Sequence, residues 1–516
     1  MSTTVKPSPN FLLWLTALLG AAAFATLLAF HNIADGDVWA KLALGASVWD
    51  HGDVMRTDLF AFTPTLPTYI DHEWGAGLVF FSLLKWFGPS SLMVLKIGLA
   101  FGTLGAALYL ARRAGAAWPT LLLLAIPCGY CILPGFAPVV RSHAFTYFFF
   151  AVTLWGLEMI LENRRGPIIL LAGVTLLWAN THGGFVVGLG MMGIYSIIAW
   201  LRRGPWPWLL LTTLVCFGVS FVNPYGAEYW HYLVPALLHK RPYIMEWRPM
   251  PVWSLDAFTG FRVLFVIAVI AVLAGWRRLR DPRSWAGCAV LFVTAFVTWR
   301  SRRHAPFFGV ACAAFLGQFI MAAGGNLRAR LADSKWPAMA ALAAHGIVAV
   351  FVAVKFLPGA SLQPLAPVGA FPVREVDVLA NAKLTGNLAV PFSWGSYATW
   401  RLYPRVKVSV DGRYEEIFPE STFLMNHAFH YHEGQDWDRL VREFPVDFVI
   451  LDLRDGKLRP ADLQPYGYTQ VWQSGQATAL LVSAKHLAAA QRAVAELPPT
   501  TIEPLDANIP KNWWQH

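Results

Sequence analysis

Eleven apolar runs recur along this chain, at roughly 11–30, 91–111, 118–135, 144–161, 167–179, 184–201, 208–222, 261–276, 284–298, 305–322 and 336–356. Runs of that length, repeated so often, belong to helices that satisfy their own backbone inside a bilayer, and the shorter ones need tilt or local thinning. With 56% hydrophobic and only 14% charged residues among 516, the chain is too apolar for an ordinary soluble domain. The fold class expected is a polytopic α-helical membrane protein with about eleven transmembrane helices. The net charge of +10 would suggest nucleic acid in a soluble protein, but here most Lys and Arg sit in short clusters between apolar runs. Those clusters report topology, and no nucleic-acid partner is expected. The first run lacks a small-residue cleavage site and reads as a retained anchor. The five cysteines lie in or beside apolar runs, and Cys128 and Cys131 have neither a second pair nor a nearby His, so they read as packing residues.

The stretch 75–88 is too short for a usual span and contains Lys85. If it does not cross, Arg112-Arg113, Arg164-Arg165, Arg202-Arg203, the Arg277/Arg278/Arg280 cluster and Arg328/Arg330/Lys335 all fall on one face, which the positive-inside rule makes cytoplasmic. If it crossed, every later cluster would move outside. The expected topology therefore has the N-terminus inside, the C-terminal region outside, and 75–88 as a re-entrant or interfacial helix. The expected division is 1–358 as a transmembrane domain with a first outer loop at 31–90, 359–497 as an extracytoplasmic α/β domain, and 498–516 as an irregular tail.

On that topology the chemically rich residues collect outside. They are Asp35, Asp37, His72 and Glu73 in the first loop, then Arg141 and His143, Asn180 and His182, Glu246, and finally Arg300, Arg302, Arg303 and His304. Carboxylates beside a bilayer are unfavourable unless they face water, a cation or a substrate. An exposed polar loop with helix caps is the plainer account of the same residues. The Arg300 to Arg303 cluster stands on the wrong side for the charge rule, as a group holding an anion would, with outer-leaflet headgroups as the alternative. Trp39, Leu42, Ala46 and Trp49 recur at helical spacing, predicting a short helix lying flat on the bilayer, with Asp35 or Asp37 at its N-terminus and Gly52 ending it. A divalent cation held by Asp35, Asp37 and Glu73 is conceivable from their oxygen ligands. Gly183-Gly184 after His182 allows close backbone approach, and His182 itself reads equally as a hydrogen-bonded structural residue.

After Pro358 the charged fraction rises and strand-like runs appear at Leu388–Phe392, Val406–Val410, Phe448–Leu451 and Ala479–Val482, with helical stretches at 395–403 and 436–443. Asp411-Gly412-Arg413 follows a strand directly, where α/β folds place ligand groups and where simple turns also occur.

The order of Asp35-x-Asp37-x-Trp39, His72-Glu73-Trp74, Trp178-Ala-Asn180 with His182-Gly-Gly184, Asn223-Pro-Tyr-Gly226, Glu246-Trp247 and the Arg/His cluster before Pro306 resembles a bacterial family of polytopic, glycosyltransferase-like proteins. That family belongs to the GT-C class, with protein O-mannosyltransferases, lipid A aminoarabinose transferases and oligosaccharyltransferase catalytic subunits. Trp394-Gly-Ser-Tyr397 and Asp411-Gly-Arg413 are similar to it as well. The resemblance implies a bacterial inner-membrane enzyme that moves a sugar from a polyprenyl-phosphate donor to a lipid, glycan or protein acceptor. It implies Asp37 or Asp35 as general base, Glu73 as acceptor-orienting or cation-sharing group, and Arg300, Arg302 or Arg303 on the departing phosphate. Arg141, His143 and His182 would complete the polar wall. The chain departs from the commoner pattern at Val38-Trp39-Ala40, where a double Trp followed by His is usual. A non-catalytic scaffold that keeps the fold and meets a protein partner through its C-terminal domain is the alternative. A transporter is disfavoured by the scarcity of charges deep in the runs.

Overall fold

A computed structural model describes residues 8–137, 139–238, 244–278, 281–324, 334–367, 370–475, 477–497 and 502–504. Arg280, Arg328 and Arg330 of the basic clusters, and Pro510, Trp513 and Trp514 of the tail, lie outside the described residues. The chain divides into two compact units, one made of Met1–Asn32 and Val94–Leu362 and the other of Ile33–Met93 and Gln363–His516.

In chain order the helices are α1 (Pro9–Phe30), α2 (Gly36–His51), α3 (Trp74–Phe87), α4 (Ser90–Arg113), α5 (Trp118–Ile132), α6 (His143–Leu161), α7 (Pro167–Thr181), α8 (Phe185–Leu201), α9 (Trp206–Val219), α10 (Glu228–Leu238), α11 (Thr259–Ala274), α12 (Pro282–Arg300), α13 (Ala305–Ala323) and α14 (Trp336–Phe356). Among the described residues six helical stretches are long and apolar enough to cross a membrane: Asn10–Phe30, Ser90–Arg113, Trp118–Gly135, His143–Leu161, Arg302–Ala323 and Trp336–Gly359. The protein is a polytopic α-helical membrane protein. Prolines at the first turns of α1, α5, α7, α9, α12, α13 and α14 explain many of the starts, since an N-terminal residue has no intrahelical N–H partner to lose.

One end of the first unit is tied by arginines. Glu162, after α6, receives Arg113 at 2.8 Å, Arg283 at 2.7 Å and Arg164 at 3.4 Å, while Arg165 lies 4.0 Å over the Trp208 ring and Arg202 5.3 Å over Trp285. The ends of α4, α6 and α8 therefore meet the starts of α7, α9 and α12.

The second unit adds β1 (Leu365–Pro367), α15 (Val373–Asn381), β2 (Gly386–Ala389), α16 (Phe392–Leu402), β3 (Val406–Val408), α17 (Glu420–Tyr431), β4 (Phe448–Asp452), β5 (Tyr468–Ser474), β6 (Thr478–Ser483), α18 (Leu487–Ala495) and β7 (Ile502–Pro504). Its mixed sheet has the order β3-β2-β4-β6-β5, with β2 parallel to β3 and β4, and β6 antiparallel to β4 and β5. The run expected as a strand to Phe392 stops at Ala389, because Pro391 cannot donate to a ladder and instead precedes the first turn of α16. In the stretch read as irregular, β7 pairs antiparallel with β1, Ala366 opposite Glu503. Residues 60–62 run along the outer edge of β3, where the Phe62 N–H donates to the Val408 carbonyl at 3.1 Å and the Val408 N–H to the Phe60 carbonyl at 3.0 Å.

The helix expected to lie flat on a bilayer forms, but as the core of this unit. Every residue of α2 from Val38 to Val48 is buried, Lys41 and Ser47 included. Trp39 is fully buried, 5.2 Å from the Tyr397 ring and 5.8 Å from Phe371. The physical reason is that α3 and α16 cover faces that the apolar periodicity left open. At the crossing of α2 and α3 a Cβ on Gly45 would overlap the Gly77 carbonyl, so backbone meets backbone there.

Candidate functional site

In the first unit the polar residues at the start of α6, the end of α7, the turn before α13 and the 244–250 segment meet. The 244–250 segment is laced to the α12–α13 turn by backbone hydrogen bonds, Met250 N–H to the Trp299 carbonyl at 3.1 Å and Arg302 N–H to the Arg248 carbonyl at 3.2 Å. This sets Glu246 against Arg141, Nη1 to Oε1 2.5 Å, and Arg303 4.9 Å over the Trp247 ring. Arg302 Nε donates to the Pro249 carbonyl at 3.2 Å. Burial alone would raise the Glu246 carboxyl; the Arg141 and Arg303 guanidiniums beside it hold it below its ordinary value. Arg141, His143, Tyr147, Glu246, Arg302 and Arg303 line a pocket of about 40 Å³ together with Gly135 and Phe258. That is room for roughly three water-sized groups between the side chains. Three guanidiniums against one carboxylate leave the pocket cationic.

Arg300, grouped with Arg302 and Arg303 by sequence, is exposed on the last turn of α12 and does not line this pocket. His304 sits in the turn, its Nδ1 3.3 Å from the Ser301 carbonyl and its ring 6.3 Å from Trp247. The His143 and His182 rings lie 4.5 Å apart. Trp178 Nε1 donates to the Thr146 hydroxyl at 2.8 Å, Thr146 Oγ1 lies 2.8 Å from His182 Nδ1, and the Gly184 N–H donates to the same nitrogen at 2.8 Å. His182 Nδ1 is thus the acceptor, which puts the ring proton of a neutral His182 on Nε2. A Cβ on Gly184 would press on both Thr146 and His182, so glycine is needed there. Asn180 donates to the Leu176 and Val222 carbonyls, each at 2.9 Å, and ties α7 to the segment after α9. Tyr147 was not singled out from the sequence, although its place four residues after His143 on α6 puts it on the same helical face.

In the second unit the first-loop carboxylates are drawn to a lysine. Lys41 Nζ is 2.8 Å from Glu73 Oε2 and 3.5 Å from Asp71 Oδ1, all three side chains buried. His72 lies 3.8 Å from Glu73 and 3.7 Å from Glu416. Burial opposes the Lys41 charge, yet Glu73, Asp71 and Glu416 hold the ammonium well above its ordinary value. Burial pushes the Glu416 carboxyl well up, against Lys41 and with the help of Glu73 and Asp71. Asp35 caps α2, accepting from the Val38 N–H at 3.2 Å, and Asp37 stands partly exposed in the first turn. The cation site suggested by Asp35, Asp37 and Glu73 is therefore corrected. Among the described residues no group of three or more His, Cys, Asp or Glu side chains could hold a metal ion. Glu73 instead neutralises Lys41, and Asp35 is spent on a helix cap.

The C-terminal motifs form one latch. Arg413 Nη2 reaches both Asp58 Oδ1 and Asp411 Oδ2 at 2.6 Å, with its plane beside the Phe60 and Tyr69 rings. Trp394 Nε1 donates to the Ala370 carbonyl at 2.9 Å, the Gly412 N–H donates to Ser396 Oγ at 2.9 Å, and a Cβ on Gly395 would overlap the Val410 carbonyl. Arg413 and Asp411 are buried, and the Arg413 Nε and Nη2 groups are engaged by Asp411 and Asp58, which is the work of a structural clamp.

No family model and no curated protein matches the sequence. Solved structures do match. The archaeal oligosaccharyltransferase AglB from Archaeoglobus fulgidus superposes with a TM-score of 0.62 at 11% identity, over 85% of this chain and 69% of its own. ArnT from Cupriavidus metallidurans gives 0.58 at 12% identity, over 94% and 99%. The chain has the GT-C fold. The arabinofuranosyltransferase AftD from Mycobacteria matches as well, with a TM-score of 0.53 at 15% identity over 91% of this chain and 40% of that one. Within this GT-C fold, the pocket of Arg141, Arg302 and Arg303 belongs to the helical unit, and the buried Lys41 cluster and the Arg413 latch to the mixed-sheet unit.

Proposed function

We propose that the protein is a glycosyltransferase of the bacterial inner membrane that moves a sugar from a polyprenyl-phosphate donor to an extracytoplasmic lipid, glycan or protein. The observation that carries the reading is the cationic pocket of Arg141, Arg302 and Arg303 inside a GT-C fold. Two structures of similar fold support the choice of donor, since AglB was solved with a dolichol-phosphate and ArnT with undecaprenyl phosphate. In this reading the guanidiniums neutralise the phosphate as it departs with its pair of electrons. Asp37 takes the proton from an acceptor hydroxyl that attacks the anomeric carbon, because a sugar hydroxyl is a weak nucleophile until a carboxylate accepts its proton. Glu73, tied to Lys41, orients that region.

The topology of the proposal has eleven spans. Five further helices, α7, α8, α9, α11 and α12, would join the six long ones, with the arginine-rich end cytoplasmic and the mixed-sheet unit outside.

The test is sugar transfer by the full chain from a panel of polyprenyl-phosphate sugars in lipid vesicles. The Asp37→Asn variant is expected to lose about 10²-fold or more in turnover while keeping its unfolding profile. Unchanged turnover would remove Asp37 from the mechanism. One observation favours the scaffold reading: Lys41 occupies two first-loop carboxylates, Asp71 and Glu73. Absence of transfer with every donor, together with co-purification of a defined protein, would support it.

A further inference from the structure

The loop between the pocket and α11 carries its apolar side chains outward. Trp253 is 92% exposed, Leu255 96% and Val252 59%. Such exposure in a folded loop usually marks a surface that meets another phase or partner. The polar groups of the same loop, by contrast, are gathered inward by one residue of α11. Arg262 Nη1 donates to the Pro251 carbonyl at 3.2 Å, and Nη2 donates to the Ser254 carbonyl, to Asp256 Oδ1 at 2.7 Å and to the Thr259 hydroxyl at 3.1 Å. Asp256 in turn accepts from the Ser254 hydroxyl at 2.6 Å and from the Phe258 N–H at 2.9 Å, and its own N–H donates to Thr259 Oγ1 at 3.0 Å.

We propose that Val252, Trp253 and Leu255 insert into the lipid leaflet, so that this loop is a membrane-dipping finger held in shape by Arg262. Two features choose lipid over a protein partner. The first is continuity: Val263, Val266, Ile270 and Leu273 are exposed at helical spacing along α11, at 49%, 56%, 61% and 67%, and the finger stands at the N-terminal end of that lipid-facing stripe. The second is polar satisfaction. Irregular backbone is costly at the apolar edge of a bilayer unless it finds partners within the protein, and Arg262, Asp256 and Thr259 supply them to the Pro251 and Ser254 carbonyls and to the Asp256 and Phe258 N–H groups. A tryptophan at the tip suits the interface, where an amphipathic ring is most stable. Because Met250 and Arg302 fasten the base of the loop to the pocket, the finger fixes the depth of the guanidiniums near the phosphate layer. The inference does not rest on sugar transfer, since a scaffold would insert the same loop.

The experiment places an environment-sensitive NBD label on Trp253→Cys and, separately, on Leu255→Cys in the full chain, reconstituted into vesicles of phosphatidylcholine and phosphatidylglycerol. Labelling of the parent chain gives the background from its own cysteines. Emission at shorter wavelength than NBD-cysteine in buffer, quenched by nitroxide-bearing lipids and insensitive to aqueous iodide, is the expected result at both positions. Quenching by iodide without quenching by the lipid nitroxides overturns it and returns the finger to water. Protection from both quenchers overturns it too, and assigns the surface to a protein partner or a second copy of the chain.

Discussion

Arg413 Nη2 stands 2.6 Å from Asp58 Oδ1, and through that contact the turn after β3 holds the extended segment that precedes α3. Both groups are buried, so neither has water to fall back on. Arg413→Ala would leave Asp58 and Asp411 as uncompensated charges, a loss of about 3–5 kcal/mol. Arg413→Lys would restore the charge but not the fork that spans two carboxylates, and is expected to recover only part of it. Chemical unfolding of the detergent-solubilised chain, followed by cleavage in the second unit, measures both. Full stability in the alanine variant would remove the latch.

Lys41 gives a second test of buried charge. Lys41→Met should destabilise the second unit by about 3–5 kcal/mol, because Glu73 and Asp71 lose their cation. Adding Glu73→Gln removes one of those charges and should return part of the loss. A double-mutant cycle reads the coupling directly, and simple additivity of the two effects would mean that the pair at 2.8 Å contributes nothing.

The pocket arginines separate from their neighbour. Arg303→Gln and Arg141→Gln are each expected to weaken retention of a polyprenyl phosphate by roughly 10- to 100-fold, the worth of one charged hydrogen bond of about 1.5–3 kcal/mol. Arg300→Gln, exposed and outside the pocket, should change it little. Lipid binding measured by native mass spectrometry or a competition assay ranks the three, and an Arg300 effect as large as that of Arg303 would contradict the assignment.

His430 makes the second unit acid-sensitive. Burial pushes its ring down to about 3 in the folded chain, whereas an unfolded histidine takes its proton near about 6.5. Protons therefore favour the unfolded state. The contribution is complete above about pH 6.5 and is lost as pH falls toward 3, by roughly 1.4 kcal/mol per unit. His430→Phe should flatten this dependence between pH 6.5 and 4, and an unchanged slope in that variant would assign the acid lability to other groups.

Much of the helical unit could be read from the chain because hydropathy and charge act locally. A run of apolar residues forms a helix whatever surrounds it, and arginines at run ends mark one face. The same logic found Arg141, His143, Glu246, Arg302 and Arg303 as polar residues at run ends. It could not exclude Arg300, because whether a guanidinium enters a pocket depends on which way the last turn of α12 points. Strands with buried apolar runs, such as Phe448–Leu451, were legible. Polar β5 was not, since an edge strand carries Thr, Gln and Ser on its open side.

By itself, then, the sequence determined a multi-pass helical protein, the helix that starts at Asp35 and stops at Gly52, and the turn chemistry of Asp411-Gly412-Arg413. Tertiary structure alone decided that α2 is a core helix, that Lys41 consumes Glu73 and Asp71 in place of a metal, and that residues 33–93 fold with the C-terminal segment. The physical reason is separation along the chain. Periodicity and capping are fixed within one or two turns, while the burial of a charge is set by Asp71, Glu73 and Glu416, partners whose approach no local pattern encodes.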